Sequence, residues 1–228
     1  MRLVLFDIDG TLVDCGPQVR PLFGAALVEV FGTAGDVEGY DFVGKTDPQI
    51  VLDLMTGAGI EREAVEAVLP RFRELYLERL GAGLTRERMR LLPAVVELLE
   101  RLAGRTEEAA LGLLTGNWEP GARAKLARFD LNRFFPFGAY GCDSADRSAL
   151  PPVALGRAAR VWGREFAPEE TLIVGDSVHD VACARAHGIP CLAVATGRTP
   201  AAALAAAGAT WVVPDLAAAG NCDPLLSC

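Results

Sequence analysis

Lysine is almost missing from these 228 residues: Lys45 and Lys125 are the only two, beside two histidines. The formal charge is −8 at pH 7. A chain with that balance has no basic face with which to neutralise a phosphate backbone, so no nucleic-acid partner is expected. Missing too is any uninterrupted apolar run of about 18 residues, the length that reads as a membrane span. Cysteine occurs six times, but Cys15, Cys142, Cys183, Cys191, Cys222 and Cys228 make no C-x-x-C pair. Neither a zinc site nor a disulfide framework follows, and the thiols are expected reduced. The first apolar run starts at residue 3, which leaves no room for a secretory leader ahead of it. A cytoplasmic protein without membrane contact is the expectation.

What is present is apolar side chain in quantity, 51% of the residues, enough for a sizeable core. The most informative stretch is LVLFDIDGTLVD, residues 3 to 14. Leu3 to Phe6 is unbroken and apolar, the pattern of a strand buried on both faces. It delivers Asp7 and Asp9 at its end, followed by Gly10, which permits a sharp turn, and Thr11, with a hydroxyl and an N–H to offer. In an open α/β sheet, ligands bind beyond the carboxyl ends of the strands. A lone Asp-Gly would read as an ordinary turn; two acids a residue apart point to a site. The pattern then recurs. Ala109 to Leu114 reads as a second buried strand ending in Thr115-Gly116-Asn117, where a hydroxyl and backbone N–H groups can hold phosphate oxygens. Thr171 to Val174 reads as a third, followed by Gly175-Asp176-Ser177-Val178-His179-Asp180; a plain helix cap by Asp176 or Ser177 is the competing reading.

These stretches, in this order, resemble the motifs of the haloacid dehalogenase superfamily: D-x-D-G-T, then [ST]-G/N-N, then G-D-[ST]-x-x-D. The resemblance implies a doubly wound, Rossmann-like parallel α/β sheet carrying a small α-helical cap of the phosphoglycolate phosphatase-like or phosphoglucomutase-like kind. It implies that Asp7 is a nucleophile forming an aspartyl phosphate and Asp9 a general acid/base. Gly10, Thr11, Thr115, Gly116 and Asn117 would surround the phosphate. Mg2+ would be held by Asp7, the Asp9 backbone carbonyl and Asp176, with Asp180 a water-mediated or outer partner; His179 is read as a loop residue. The family's third motif supplies a lysine, and here the chain departs from it. No lysine follows Lys125. Arg147, ahead of the Pro-led helix Pro151 to Trp162, takes the role, since a guanidinium grips phosphate in a bidentate way; Arg157 and Arg160 are distant seconds.

Between Pro17 and about Arg90 the periodicity is helical, over Pro21 to Phe31, Asp47 to Met55 and Glu61 to Leu80, with no credible strand. The division expected is a core of residues 1–14 and 92–228 and a cap of 15–91. In the loop Gly44-Lys45-Thr46-Asp47-Pro48, Thr46 or Asp47 can cap the next helix, while Lys45 can reach the substrate beyond its phosphate. Lys125 is expected to be a solvated residue of the helix Ala122 to Phe129, Cys15 merely lies near the site, and residues 219–228 read as frayed. The implied activity is Mg-dependent hydrolysis of a small organic phosphate ester by a monomer or homodimer. A dehalogenase lacks an acid at the Asp9 place; a phosphomutase, a phosphonatase using Lys45, or a non-catalytic phosphate binder remain alternatives.

Overall fold

The computed structural model describes residues 1–219. The expected fraying falls mostly outside them, in 220–228.

The apolar run at the start forms β1 (Arg2–Phe6), every residue of it buried. Its side chains alternate between two cores. Val4 and Phe6 join one cluster, Leu3 and Leu5 the other, which is what period-two projection from a central strand dictates. After a two-residue strand β2 (Val13–Asp14), the chain leaves the sheet for three helices, α1 (Val19–Phe31), α2 (Asp47–Gly57) and α3 (Arg62–Gly83). It returns through β3 (Arg90–Leu91), which pairs antiparallel with β2, Val13 opposite Leu91 and Asp14 opposite Arg90. These two short strands were not anticipated. Two residues are too few for periodicity to show.

From there helix and strand alternate: α4 (Val95–Ala103), β4 (Ala109–Leu114), α5 (Glu119–Ala127), β5 (Gly138–Ala139), α6 (Leu150–Trp162) and β6 (Thr171–Gly175). α7 (Val178–Ala186), β7 (Cys191–Val194), α8 (Ala201–Ala206), β8 (Trp211–Val213) and α9 (Leu216–Ala219) complete it. The main sheet runs β5-β4-β1-β6-β7-β8, all parallel. The doubly wound parallel sheet is therefore as expected. β1 lies at its middle with β4 and β6 on either side, Leu3 in register with Ala110 and Thr171. That topology brings the ends of the three motif strands side by side.

The helical excursion has its own packing. Phe23 meets Phe72 at 5.0 Å and Tyr76 at 4.9 Å, both edge to face. The cluster reaches the sheet-borne helix through Trp118, 6.0 Å from both Phe72 and Tyr76. Aromatic pairs at these separations add about 0.5–1.5 kcal/mol each beyond their burial.

Candidate active site

Asp7 stands one residue past β1, 5% exposed, with its N–H bonded to the Val174 carbonyl of β6 at 2.9 Å. The chain then doubles back: the N–H groups of Thr11, Leu12 and Val13 all donate to the Ile8 carbonyl. Gly10 makes that turn at φ +82°, and a Cβ there would collide with the Asp176 carboxylate. Only glycine meets both demands.

Asp7, Asp176 and Asp180 are buried with carboxylate oxygens within 4.8 Å of one another. Burial pushes the Asp7 carboxyl up to about 6, with Arg147 opposing and Asp180 and Asp9 adding to the rise. Asp176 is pushed up to about 8 by burial and then by repulsion from Asp180 and Asp7. Arg147 is the cation among them. Its Nη2 lies 3.3 Å from Asp7 Oδ1 and also bonds Asp180, its Nη1 donates to the Gly44 carbonyl at 3.2 Å, and its buried Nε has no partner among the described residues. A buried set of oxygen donors short of positive charge fits a hard divalent cation such as Mg2+. Asp180 has its second oxygen taken by the Ser177 hydroxyl at 2.6 Å and the Ser177 N–H at 3.0 Å. Ser177 in turn caps α7 by accepting from the Asp180 N–H. The capping reading thus holds for Ser177, while Asp176 takes no part in the cap.

Asp9 faces another way. Its Oδ2 accepts from Lys125 Nζ at 2.6 Å and Asn117 Nδ2 at 2.9 Å, and among the described residues its Oδ1 meets only the Cys15 thiol at 3.5 Å. Burial would raise this carboxyl, but Lys125, with the bonds from Asn117 and Cys15, holds it below the usual value. Lys125 is a correction to the sequence reading. It is 2% exposed rather than solvated, and it also donates to Asn117 Oδ1 at 2.6 Å. Its neighbours on the inward face of α5 are Gly121, Ala122 and Leu126. That i−4, i−3 spacing to small residues was the available signal.

The other predicted residues fall as follows. Thr115 and Gly116 line the same cavity as Asp7, Asp9, Gly10, Asn117 and Arg147. Thr115 Oγ1 accepts from Asn117 Nδ2 at 2.8 Å. Thr11 is engaged with the acids: its N–H goes to Ile8 and its hydroxyl donates to Asp176 Oδ1 at 3.2 Å. Lys45 lines the cavity, yet its ammonium bonds Tyr40 Oη at 2.6 Å and Asp53 at 3.4 Å and sits 3.9 Å from the Tyr40 ring centre.

The loop before α2 is bound to the sheet ends. Thr46 caps α2 by accepting from the Gln49 N–H at 3.2 Å, which frees Asp47 for another partner. Asp47 donates its N–H to the Gly116 carbonyl and accepts from the Trp118 N–H, both at 2.8 Å. The Thr46 hydroxyl donates to the Ala145 carbonyl at 2.6 Å. Gly116 has no room for a Cβ against the Lys45 carbonyl. Together with Arg147 on Gly44, these bonds close a cavity of about 780 Å³ over the acids.

The haloacid dehalogenase-like hydrolase family model matches residues 4–194. Phosphoglycolate phosphatase 1 of Pseudomonas aeruginosa is 32% identical over 221 residues, covering 94% of this chain and 77% of that protein. The phosphoglycolate phosphatase of Pseudomonas fluorescens is 28% identical, with the same shares covered. A haloacid dehalogenase-like hydrolase from Bacteroides fragilis superposes with a TM-score of 0.71 at 22% identity, covering 96% of this chain and 99% of that one. With the family pattern spanning both acids of β1, the β4 turn, Arg147 and the β6 acids, the chain belongs to the haloacid dehalogenase-like hydrolases.

Proposed function

We propose that the chain is a phosphatase that hydrolyses a small organic phosphate monoester, phosphoglycolate-like or sugar-phosphate-like, through an aspartyl phosphate on Asp7. The observation that carries this reading is the division of labour around one cavity: Asp7 beside Arg147 within the acid cluster, and Asp9 apart from them in a cationic setting. An Asp7 oxygen attacks phosphorus while the bond from phosphorus to the ester oxygen breaks, and the Asp9 carboxyl gives its proton to that leaving oxygen. Water then attacks the same phosphorus as Asp9 takes its proton, the bond from phosphorus to Asp7 breaks, and inorganic phosphate leaves. Arg147 and the Thr115-Gly116 turn hold the phosphoryl oxygens. Asp7, Asp176 and the Asp9 carbonyl, with Asp180 as an outer partner, would hold Mg2+, which would supply the charge neutralisation that lets an anionic nucleophile approach an anionic ester.

Residues 15–91 act in this reading as a lid on a core of 1–14 and 92–228, excluding water and choosing the ester. A cavity of about 780 Å³ suits a small molecule. The relatives named for phosphoglycolate favour esters of that size. A phosphonatase would need a lid lysine free to form an imine, and Lys45 is engaged with Asp53 and Tyr40. The four described cysteines are free thiols, and no helix among the described residues is long and apolar enough to cross a membrane.

The test is phosphate release from about twenty small esters, including phosphoglycolate, pyridoxal phosphate, mononucleotides and hexose phosphates, with Mg2+ and with chelator. Metal-dependent release concentrated on one ester is expected. Release from none of them would sink the phosphatase reading.

A further inference from the structure

The Asp9 carboxylate has two unequal oxygens. Oδ2 receives two strong donors, Lys125 Nζ at 2.6 Å and Asn117 Nδ2 at 2.9 Å, whereas Oδ1 receives only a thiol at 3.5 Å. The two donors are themselves joined, since Lys125 Nζ also donates to Asn117 Oδ1 at 2.6 Å. Asn117 is in turn bonded to Thr115 Oγ1. Lys125, Asn117 and Asp9 therefore form a closed ring of hydrogen bonds anchored on α5 and on the end of β4. The lysine in that ring is almost wholly buried while the Asp9 side chain keeps 41% of its exposure toward the cavity. A lysine ammonium carries a strong desolvation cost unless it is paired, so surface solubility does not account for it.

We infer that Lys125 is the positioning residue of the general acid: it pins Asp9 Oδ2 against α5 and thereby presents Oδ1 to the cavity as the oxygen that carries the proton to the leaving group. This rests on the phosphatase reading above. Asn117 alone cannot do the same work. As an amide with its oxygen already turned to Lys125, it supplies one hydrogen bond from an uncharged donor, about which the carboxylate would be free to rotate. A charge-assisted bond is shorter and roughly twice as strong as a neutral one, and two donors on one oxygen fix the plane of the carboxylate as well as its distance. The role is distinct from that of Arg147, which bonds Asp7 and Asp180 and makes no bond to Asp9.

A purely structural tether would impair every substrate alike. A device that aims a proton matters in proportion to the leaving group's need for one. The experiment compares Lys125→Met and Lys125→Arg with the wild type on phosphoglycolate, whose alkoxide must be protonated, and on p-nitrophenyl phosphate, whose phenolate leaves readily. With Lys125→Met, kcat on phosphoglycolate is expected to fall about 10²-fold, within the range of general acid help. On p-nitrophenyl phosphate it should fall less than about 5-fold, with KM for both esters little changed, and Lys125→Arg should recover part of the loss. Equal losses on the two esters, or no loss on either, would overturn the assignment. In an Asp9→Asn background Lys125→Met should cost nothing more, because a residue acting through Asp9 has nothing left to position; a further full loss there also refutes it. Should the wild type release phosphate from no ester, the phosphatase reading fails by itself, and a crystal structure of Lys125→Met decides the positioning. Asp9 swung away from Asn117 supports it, and Asp9 unmoved rejects it.

Discussion

Asp7 and Asp9 leave the same strand two residues apart and enter opposite electrostatic worlds. Around Asp7, burial and the neighbouring Asp180 and Asp9 outweigh Arg147, and the carboxyl is pushed up to about 6. Around Asp9, burial is outweighed by Lys125 together with the bonds from Asn117 and Cys15, and the carboxyl is held down. Burial lowers the proton affinity of Lys125, yet the charge of Asp9 more than offsets it and holds the ammonium above the ordinary lysine value. One wall of the cavity is thus short of positive charge and the other is in balance. The difference teaches where a cation belongs. It fits the acid cluster, whose ionised form the protein alone does not fully compensate, and not the Asp9 carboxylate, which Lys125 and Asn117 already match.

The most severe way to break that contrast is Asp7→Asn. Turnover is expected to fall roughly 10⁴-fold or more, as for removal of other nucleophiles, together with loss of any acid-stable phosphoenzyme; substantial remaining turnover would remove Asp7 from the nucleophile role. Arg147→Met strips the acid-rich wall of its cation. Removing one partner of a buried pair costs about 3–5 kcal/mol, so denaturant unfolding in chelator should show a loss of that order. Stability unchanged within error would mean that Arg147 does not compensate Asp7 and Asp180.

On the balanced wall, Asp9→Asn should lower kcat about 10²–10⁴-fold while Mg2+ binding measured by calorimetry stays nearly intact. A rate within a few-fold of the wild type would refute the acid/base role. The gentlest probe is pH. Asp176, raised to about 8, and Asp7, raised to about 6, bind protons more readily folded than unfolded. The folded state therefore holds more protons between about pH 4 and 8, and metal-free stability declines as pH rises through that window. Mg2+ should raise Tm by more at pH 8.5 than at pH 6, since it replaces protons on the same oxygens. An equal or opposite shift would place the cation elsewhere.

Much of this arrangement was legible in the chain. The apolar runs ending in Asp7, Thr115 and Asp176 are strands β1, β4 and β6, because a strand buried on both faces leaves a continuous signal and its polar end stands out against it. Arg147 was singled out because the family resemblance calls for a cation ahead of the Pro-led helix, and the structure sets it against Asp7. Lys125 was misread because helical periodicity tells which face a residue occupies only when the residue is apolar; a charge on the inward face looks like one on the outward face until its partner, 116 positions earlier, is known. Thr11 hid its partner for a similar reason. Its hydroxyl looked free at the motif, but Asp176 comes up beside it only once β6 docks against β1. Asp47 passed as a cap candidate, and the bonds to Gly116 and Trp118 that make it a link between loop and sheet lie outside any local pattern.

The pairing of β2 with β3 has a mechanical consequence. Val13 faces Leu91 and Asp14 faces Arg90, so the two crossings between helices and sheet are laced into one narrow ribbon. Two separate tethers would let the helices tumble and slide. In the lid reading proposed above, such a ribbon would resist shear and yield mainly to twist, giving the helices one soft coordinate once the bonds of the Gly44–Asp47 loop to the sheet ends are released. Both halves of the ribbon would share in that swing, although they stand 76 positions apart in the chain.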